Sequence, residues 1–160
     1  MIDQSYETKI LEQLVNHPNC AIRASLASLE YKLDIFVHDK SSTVRLEVAK
    51  LGYGLEILKD DESAKVRKEV AKHGVFLDQF IKDEASGVLE EVAKQGYRLD
   101  LLEHCKAWGV QLELIDRGMF LDNYLKSPYP LIRDLAKQKK DWLENKEKID
   151  NLLHKELEKK

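Results

Sequence analysis

The sequence predicts an all-α chain, a right-handed α-solenoid of about six short repeats with capping helices at both ends. The first observation behind this is a fixed interval of 22 residues between Ile22, Val44, Val66, Val88, Val110 and Ile132. A period of this size marks a small unit that cannot bury its own apolar face and must stack on its neighbours. The second is a glycine eight positions later, at Gly52, Gly74, Gly96 and Gly118, where a helix can end in a left-handed residue. The third lies eleven positions on, where Leu33, Leu55, Leu77, Leu99 and Leu121 are each followed by an acid that suits a helix start. Each unit is therefore a helix, a tight turn and a helical stub, and the repeats cover residues 16–137.

Residues 1–15 carry Tyr6, Ile10, Leu11 and Leu14 at helical spacing and are expected to form an N-terminal helix capping the open end of the first repeat. That repeat has Pro18 at its helix start, a position proline tolerates. It also has Glu30 where later repeats have glycine, so its turn is expected to differ.

Repeats two to four, residues 38–103, are the most regular. In Asp60 to Ile81, the residues Val66, Val70 and Ala71 share one helical face. Lys68, Glu69 and Lys72 fall on the opposite face, expected in solvent. Asp61, Glu62 and Ser63 stand at the helix start, where their oxygens can cap free N–H groups. The residue after each turn (Tyr31, Tyr53, Val75, Tyr97 and Met119) is apolar and fits a Schellman cap packed on Leu26, Val48, Val70, Val92 and Leu114. The stub Leu77–Ile81 has little more than one turn, which suits 3-10 geometry. The spacing predicts helices over 43–51, 65–73, 87–95, 109–117 and 130–138.

Repeat five departs from the pattern, since Trp108, Leu112 and Ile115 make its helix much more apolar. Leu112 and Leu46 occupy the rank held by Lys68 and Glu90 in repeats three and four. Repeat six opens with Ser127-Pro128-Tyr129-Pro130, rigid before a helix carrying Leu131, Ile132 and Leu135. Residues 138–160 form a charged amphipathic helix or tail with Trp142, Ile149, Leu153 and Leu157. This segment caps the last repeat, projects from it, or joins two chains in a weak dimer.

Charged residues make up 34% of the chain, yet the formal net charge is only −3. Mixed signs give no general attraction to nucleic acid or to an anionic membrane. By repeat, the sum runs from +1 in 38–59 (four basic, three acidic) to −1 in 60–81 (four, five) and −3 in 82–103 (three, six). An acidic middle surface of this kind would suit a basic or mixed protein partner. There is no signal-like segment and no apolar run of spanning length, so a soluble, cytoplasmic chain is expected. Cys20 and Cys105 lie almost four repeats apart, too far to bridge, and read as small packing residues.

Two charged ranks run along the lattice. Arg23, Arg45, Arg67 and Arg133 follow the reference position, and Asp39, Asp61 and Asp83 precede it by five. They fit a ladder in which each repeat's arginine meets an aspartate of its neighbour. A phosphate-binding stripe is the other reading, but Leu89 and Gln111 interrupt the arginines at the centre, where a nucleic-acid groove needs its charge. Lys50, Lys72 and Lys94 each follow a glutamate by three residues and are self-screened. The five histidines occupy unrelated places, and no metal, phosphate-loop or nucleophile motif occurs. No catalytic residue, metal ligand or cofactor is expected.

The pattern D-x-x-x-x-V-R-x-x-V-A-x-x-G-x-x-L-D-x-F, seen from Asp61 to Phe80, resembles the HEAT-like family, in particular the short leucine-rich repeat variant with alternating α and 3-10 helices. The resemblance covers about five repeats and part of a sixth. It implies a non-catalytic scaffold or adaptor that binds a protein partner. The alternative it implies is a nucleic-acid-binding protein akin to HEAT-like DNA glycosylases, which have a basic concave face and a catalytic acid. Neither feature stands out in this sequence. The candidate contact surface is the outward helix face of repeats two to five, with Leu46, Lys50, Lys68, Glu69, Lys72, Glu90, Glu91, Lys94, Trp108 and Leu112. Apolar anchors ringed by charge are what protein interfaces use. Trp108 has no structural task in the pattern and is the best single contact candidate, although a bulky aromatic in so apolar a helix is expected in the core.

Overall fold

The apolar ranks of the 22-residue lattice are buried. Val44, Val66, Val88, Val110 and Ile132 are fully buried, as are Val48, Val70, Val92 and Leu114 four residues later. The stubs contribute a third buried rank, Phe36, Leu58, Phe80, Leu102 and Tyr124. Each such side chain contributes about 1.5–3 kcal/mol by leaving water, so the lattice is the core. The computed structural model describes residues 4–157. Among them are eleven α-helices, one 3-10 helix and no strand. No helix among the described residues is long and apolar enough to cross a membrane. Residues 1–3 of the expected cap, and the Tyr6 side chain, lie outside the described residues.

The chain divides after Gln95 into two compact units. The first contains α1 (Gln4–Val15), α2 (Cys20–Ser28), α3 (Leu33–Phe36), α4 (Ser42–Lys50), α5 (Leu55–Leu58), α6 (Ala64–Lys72), α7 (Leu77–Phe80) and α8 (Ser86–Lys94). Within it α1 packs on α2, and the long repeat helices pack in chain order, α2 on α4, α4 on α6 and α6 on α8. The second unit contains a 3-10 helix (Leu99–Leu102), α9 (Trp108–Asp116), α10 (Leu121–Tyr124) and α11 (Pro130–Leu157). Here α9 and α10 both pack on α11.

While α11 starts at Pro130 as predicted, the other four of the five predicted repeat helices, α4, α6, α8 and α9, start and stop one residue earlier than the spacing predicts. Their last turn tightens, with the N–H of Leu51 and of His73 bonding three residues back to Val48 and Val70. These residues then serve as C-caps in right-handed geometry. Beyond them the glycine N–H bonds the third carbonyl back, and the next N–H reaches the fifth, as in Tyr53 to Val48 and Met119 to Leu114. That pair of bonds is the Schellman motif. The expected side-chain caps are absent at Ser63, which makes no cap bond. Asp61 accepts the Ser63 N–H at 2.8 Å instead, because its carboxylate is committed to the ladder described below.

Glu30 corrects an expectation. Its turn does not differ from those of the glycine repeats, since its φ is 60° and its N–H bonds Ala27 in the same way. A side chain with a Cβ is strained there, and the fold holds it in place. Glu30→Gly is therefore expected to raise stability by about 0.5 kcal/mol, the relief of left-handed strain exceeding the extra entropy of an unfolded glycine. Urea midpoints of the two proteins give the comparison, and a lower midpoint for the glycine variant would refute it.

A second left-handed residue opens every stub. Lys32, Gly54, Phe76, Arg98 and Phe120 have φ between 43° and 63°. Only one of the five is a glycine, so the pattern gives no sign of it. Four stubs are single α-turns, and only Leu99–Leu102 is 3-10.

The largest departure is α11. It runs without a break across 137 and 138 to Leu157. Where the next glycine of the lattice would fall stands Lys140, which supports a helix and bonds Asp122 of α10 at 2.7 Å.

Candidate interaction surface

The two arginine and aspartate ranks meet as one structural device. In the first unit Arg23 holds Asp39, Arg45 holds Asp61 and Arg67 holds Asp83, each sixteen residues apart. Every arginine donates Nε and Nη2 to the two carboxylate oxygens at 2.6–2.9 Å. Its Nη1 donates to the backbone carbonyl six residues back, at 2.6–2.8 Å. Each aspartate also accepts the N–H two residues on, at 2.8 Å. Bonding to the aspartate raises the arginine pKa values despite burial. Burial pushes the Asp39 and Asp83 carboxyls up, but the guanidinium, the N–H two residues on and the arginine charge together hold them below the usual range. These guanidiniums are neutralised and largely buried, so they do not form a phosphate-binding stripe.

In repeats four and five the arginine and its aspartate are lost together. Sixteen residues after Leu89 stands Cys105, and sixteen after Gln111 stands Ser127. Where the base is absent the acid is absent too, as the cost of an unpaired buried charge requires. Gln111 keeps only the carbonyl bond, to Cys105 at 3.0 Å, and its buried Oε1 has no partner.

The expected contact residues separate between the units. In the first, Lys50, Lys72 and Lys94 pair with Glu47, Glu69 and Glu91 at 2.7, 2.7 and 3.6 Å. Leu46, Lys68, Glu69 and Glu90 are half-buried. Glu91 is not outward at all, being 7% exposed. The reason is that α6 packs on α8, so the glutamate rank is sheltered at the helix contact beneath the lysine ammonium groups. The Lys68 stem likewise lies over Gly87 of α8. This face is mutually satisfied. A separate recess of about 690 Å³ among the loops of repeats two to four is lined mostly by charge, including Asp60, Glu62, Asp78 and Glu84.

In the second unit the corresponding repeat positions are more apolar. Trp108 is 44% exposed rather than in the core, with its ring 5.3 Å from that of Tyr129 and tilted by 53°. Leu112 is 40% exposed. It joins Ile115 of α9, and Leu135 and Trp142 of α11, around a furrow of about 560 Å³ between the two helices. The Asp116–Lys139 ion pair, 3.6 Å long, borders it. Lys139 and Lys146 place their ammonium groups 5.0 and 5.3 Å from the Trp142 ring, which stays half exposed.

Leu135, Tyr129 and Trp142 were not among the contact residues expected from sequence. Leu135 had a usable signal, because it stands in the rank of Glu47, Glu69, Glu91 and Glu113. Trp142 lies beyond the lattice and had none. Cys20 and Cys105 are free and half-buried. No known protein-family profile matches the chain, and no curated protein or solved structure shows significant similarity to it.

Proposed function

We propose that the chain is a non-catalytic protein-interaction scaffold of HEAT-like repeats stacked as a right-handed solenoid, with its contact surface at the furrow between α9 and α11. The observation that carries this reading is the change of chemistry along two adjacent ranks. Neighbouring repeats hold Lys68 and Glu90 where the furrow has Leu112, and Glu69 and Glu91 where it has Leu135. A purely solvated face has no use for a half-exposed leucine and tryptophan side by side. Large apolar anchors in a recess, edged by ion pairs, are the chemistry of an interface centre. The occupant that fits is an apolar helical segment of a partner protein, since the recess is an open trough between two helices.

The test is affinity capture from the native cell with the wild-type chain and a folded Leu112→Glu/Trp142→Ala variant side by side. A partner held by the wild type should bind the variant at least about tenfold more weakly. Equal binding by both would remove the furrow from the interface. Tight binding of duplex DNA that collapses as salt rises would replace this reading with the nucleic-acid one.

A further inference from the structure

The ladder ends on an arginine with its fork open. Arg133 stands in the same rank as Arg23, Arg45 and Arg67, and its Nη1 is pinned in the same way, by the Ser127 carbonyl six residues back at 2.7 Å. In the three sisters this pinning aims Nε and Nη2 at the aspartate sixteen residues later. For Arg133 that position is Ile149. It lies about 24 Å further along the same unbroken helix and carries no acid. Among the described residues no carboxylate meets Nε or Nη2 of Arg133. The side chain is only partly buried, so the fork is open to a ligand from outside. Nine residues separate Arg133 from Trp142, which places the two on opposite sides of α11. The fork is therefore independent of the furrow.

We infer that Arg133 is a receptor for an aspartate side chain of a partner protein, presented as the chain presents its own. The three internal examples define the ligand. Each is an aspartate whose carboxylate takes two guanidinium N–H groups and also the N–H two residues on, just ahead of a helix. The occupant is then an Asp-x-Ser or Asp-x-Ala turn opening a helix, which takes up the place of a seventh repeat. Bidentate pairing selects a carboxylate with that geometry, and a guanidinium held in advance loses little freedom on binding.

The experiment uses the full chain and an acetylated, amidated peptide copying residues 60–72, with its counterpart carrying asparagine for Asp61. Binding is followed by the NMR signal of the Arg133 Nε–H. The expected result is saturable binding of the aspartate peptide, and at least about tenfold weaker binding of the asparagine peptide or of an Arg133→Gln chain. Arg133→Lys should restore only part of the affinity, because it cannot pair in two places. Leu112→Glu should change nothing, which separates this site from the furrow. Equal affinity of the two peptides, no saturable shift up to millimolar peptide, or the same shift from sodium acetate at equal concentration would each overturn the inference. So would a drop in the urea midpoint of Arg133→Gln as large as that of an Arg23→Gln chain, since that would mean the fork is already filled.

Discussion

Replacing Asp39 by alanine is expected to cost about 3–5 kcal/mol, the largest effect of any single polar substitution in the chain. The pair it breaks is nearly dry, with side-chain exposures of 5% for Arg23 and 9% for Asp39. Removing the acid leaves a buried guanidinium with two unmatched N–H groups and also releases the Ser41 N–H. Asp122→Ala removes an ion pair of similar length, but the residues are 80% and 40% exposed, so the expected loss is small beside that of Asp39→Ala. An Arg23→Met/Asp39→Leu double variant should recover part of the loss, because no charge is then left unpaired. Urea unfolding of the four proteins decides it, and equal midpoints for Asp39→Ala and Asp122→Ala would refute the ladder as a stabilising device. The Arg23–Asp39 and Arg67–Asp83 pairs predict the acid limb of stability. The folded pKa values of Asp39 and Asp83 lie below the ordinary 3.8, so the unfolded chain takes up protons first as pH falls. Their contribution is complete above the ordinary aspartate range and is lost as pH drops from there through the lower folded values.

Gly54→Ala is expected to cost about 2–3 kcal/mol, clearly more than Gly74→Ala. Both glycines have positive φ, at 63° and 71°. Left-handed geometry alone does not require glycine at residue 54, because Lys32, Phe76, Arg98 and Phe120 adopt it in the same rank. The decisive contact is Val37, whose Cγ2 would lie 2.5 Å from a Cβ at residue 54. Val37 is 3% exposed and belongs to the core, so it cannot swing away, and overpacking of this kind costs about 1–3 kcal/mol. At Gly74 the nearest atom is the end of the flexible Gln95 side chain, 3.6 Å away, and only the backbone strain of about 1 kcal/mol remains. In the next repeat Lys59 takes the place of Val37 and stacks over the Phe76 ring at 4.9 Å, so a large residue fits there. Comparable urea midpoints for the two alanine variants would show that the Val37 contact is not what demands glycine.

The candidate surface was only partly legible in the sequence. Leu112 and Trp108 could be found because a lattice makes an exception visible, and both are exposed. Glu91 was misplaced for a definite reason. A helical wheel describes one helix, whereas burial at that position depends on how closely α6 approaches α8. Trp142 was not singled out because the amphipathic tail fitted a cap, a projecting helix or a dimer equally, and only the unbroken run of α11 past Lys140 sets the ring beside α9.

The period of 22 residues, written in valine, alanine, glycine and leucine, determined by itself where α4, α6, α8 and α9 lie to within one residue and which of the repeated side chains form the core. Those properties follow from local geometry and from a repeat that must bury one face. The ladder partners were also implicit, because two charged ranks at constant spacing have few other ways to be buried. The tertiary structure alone decided that Glu30 takes the glycine conformation, that every stub opens on a second left-handed residue, and that Gly54 yields space to Val37. It alone decided that Arg133 is left with an open fork. In each case the outcome depends on distances between groups far apart in sequence, and on the strain a packed core can hold, which no local pattern of residues encodes.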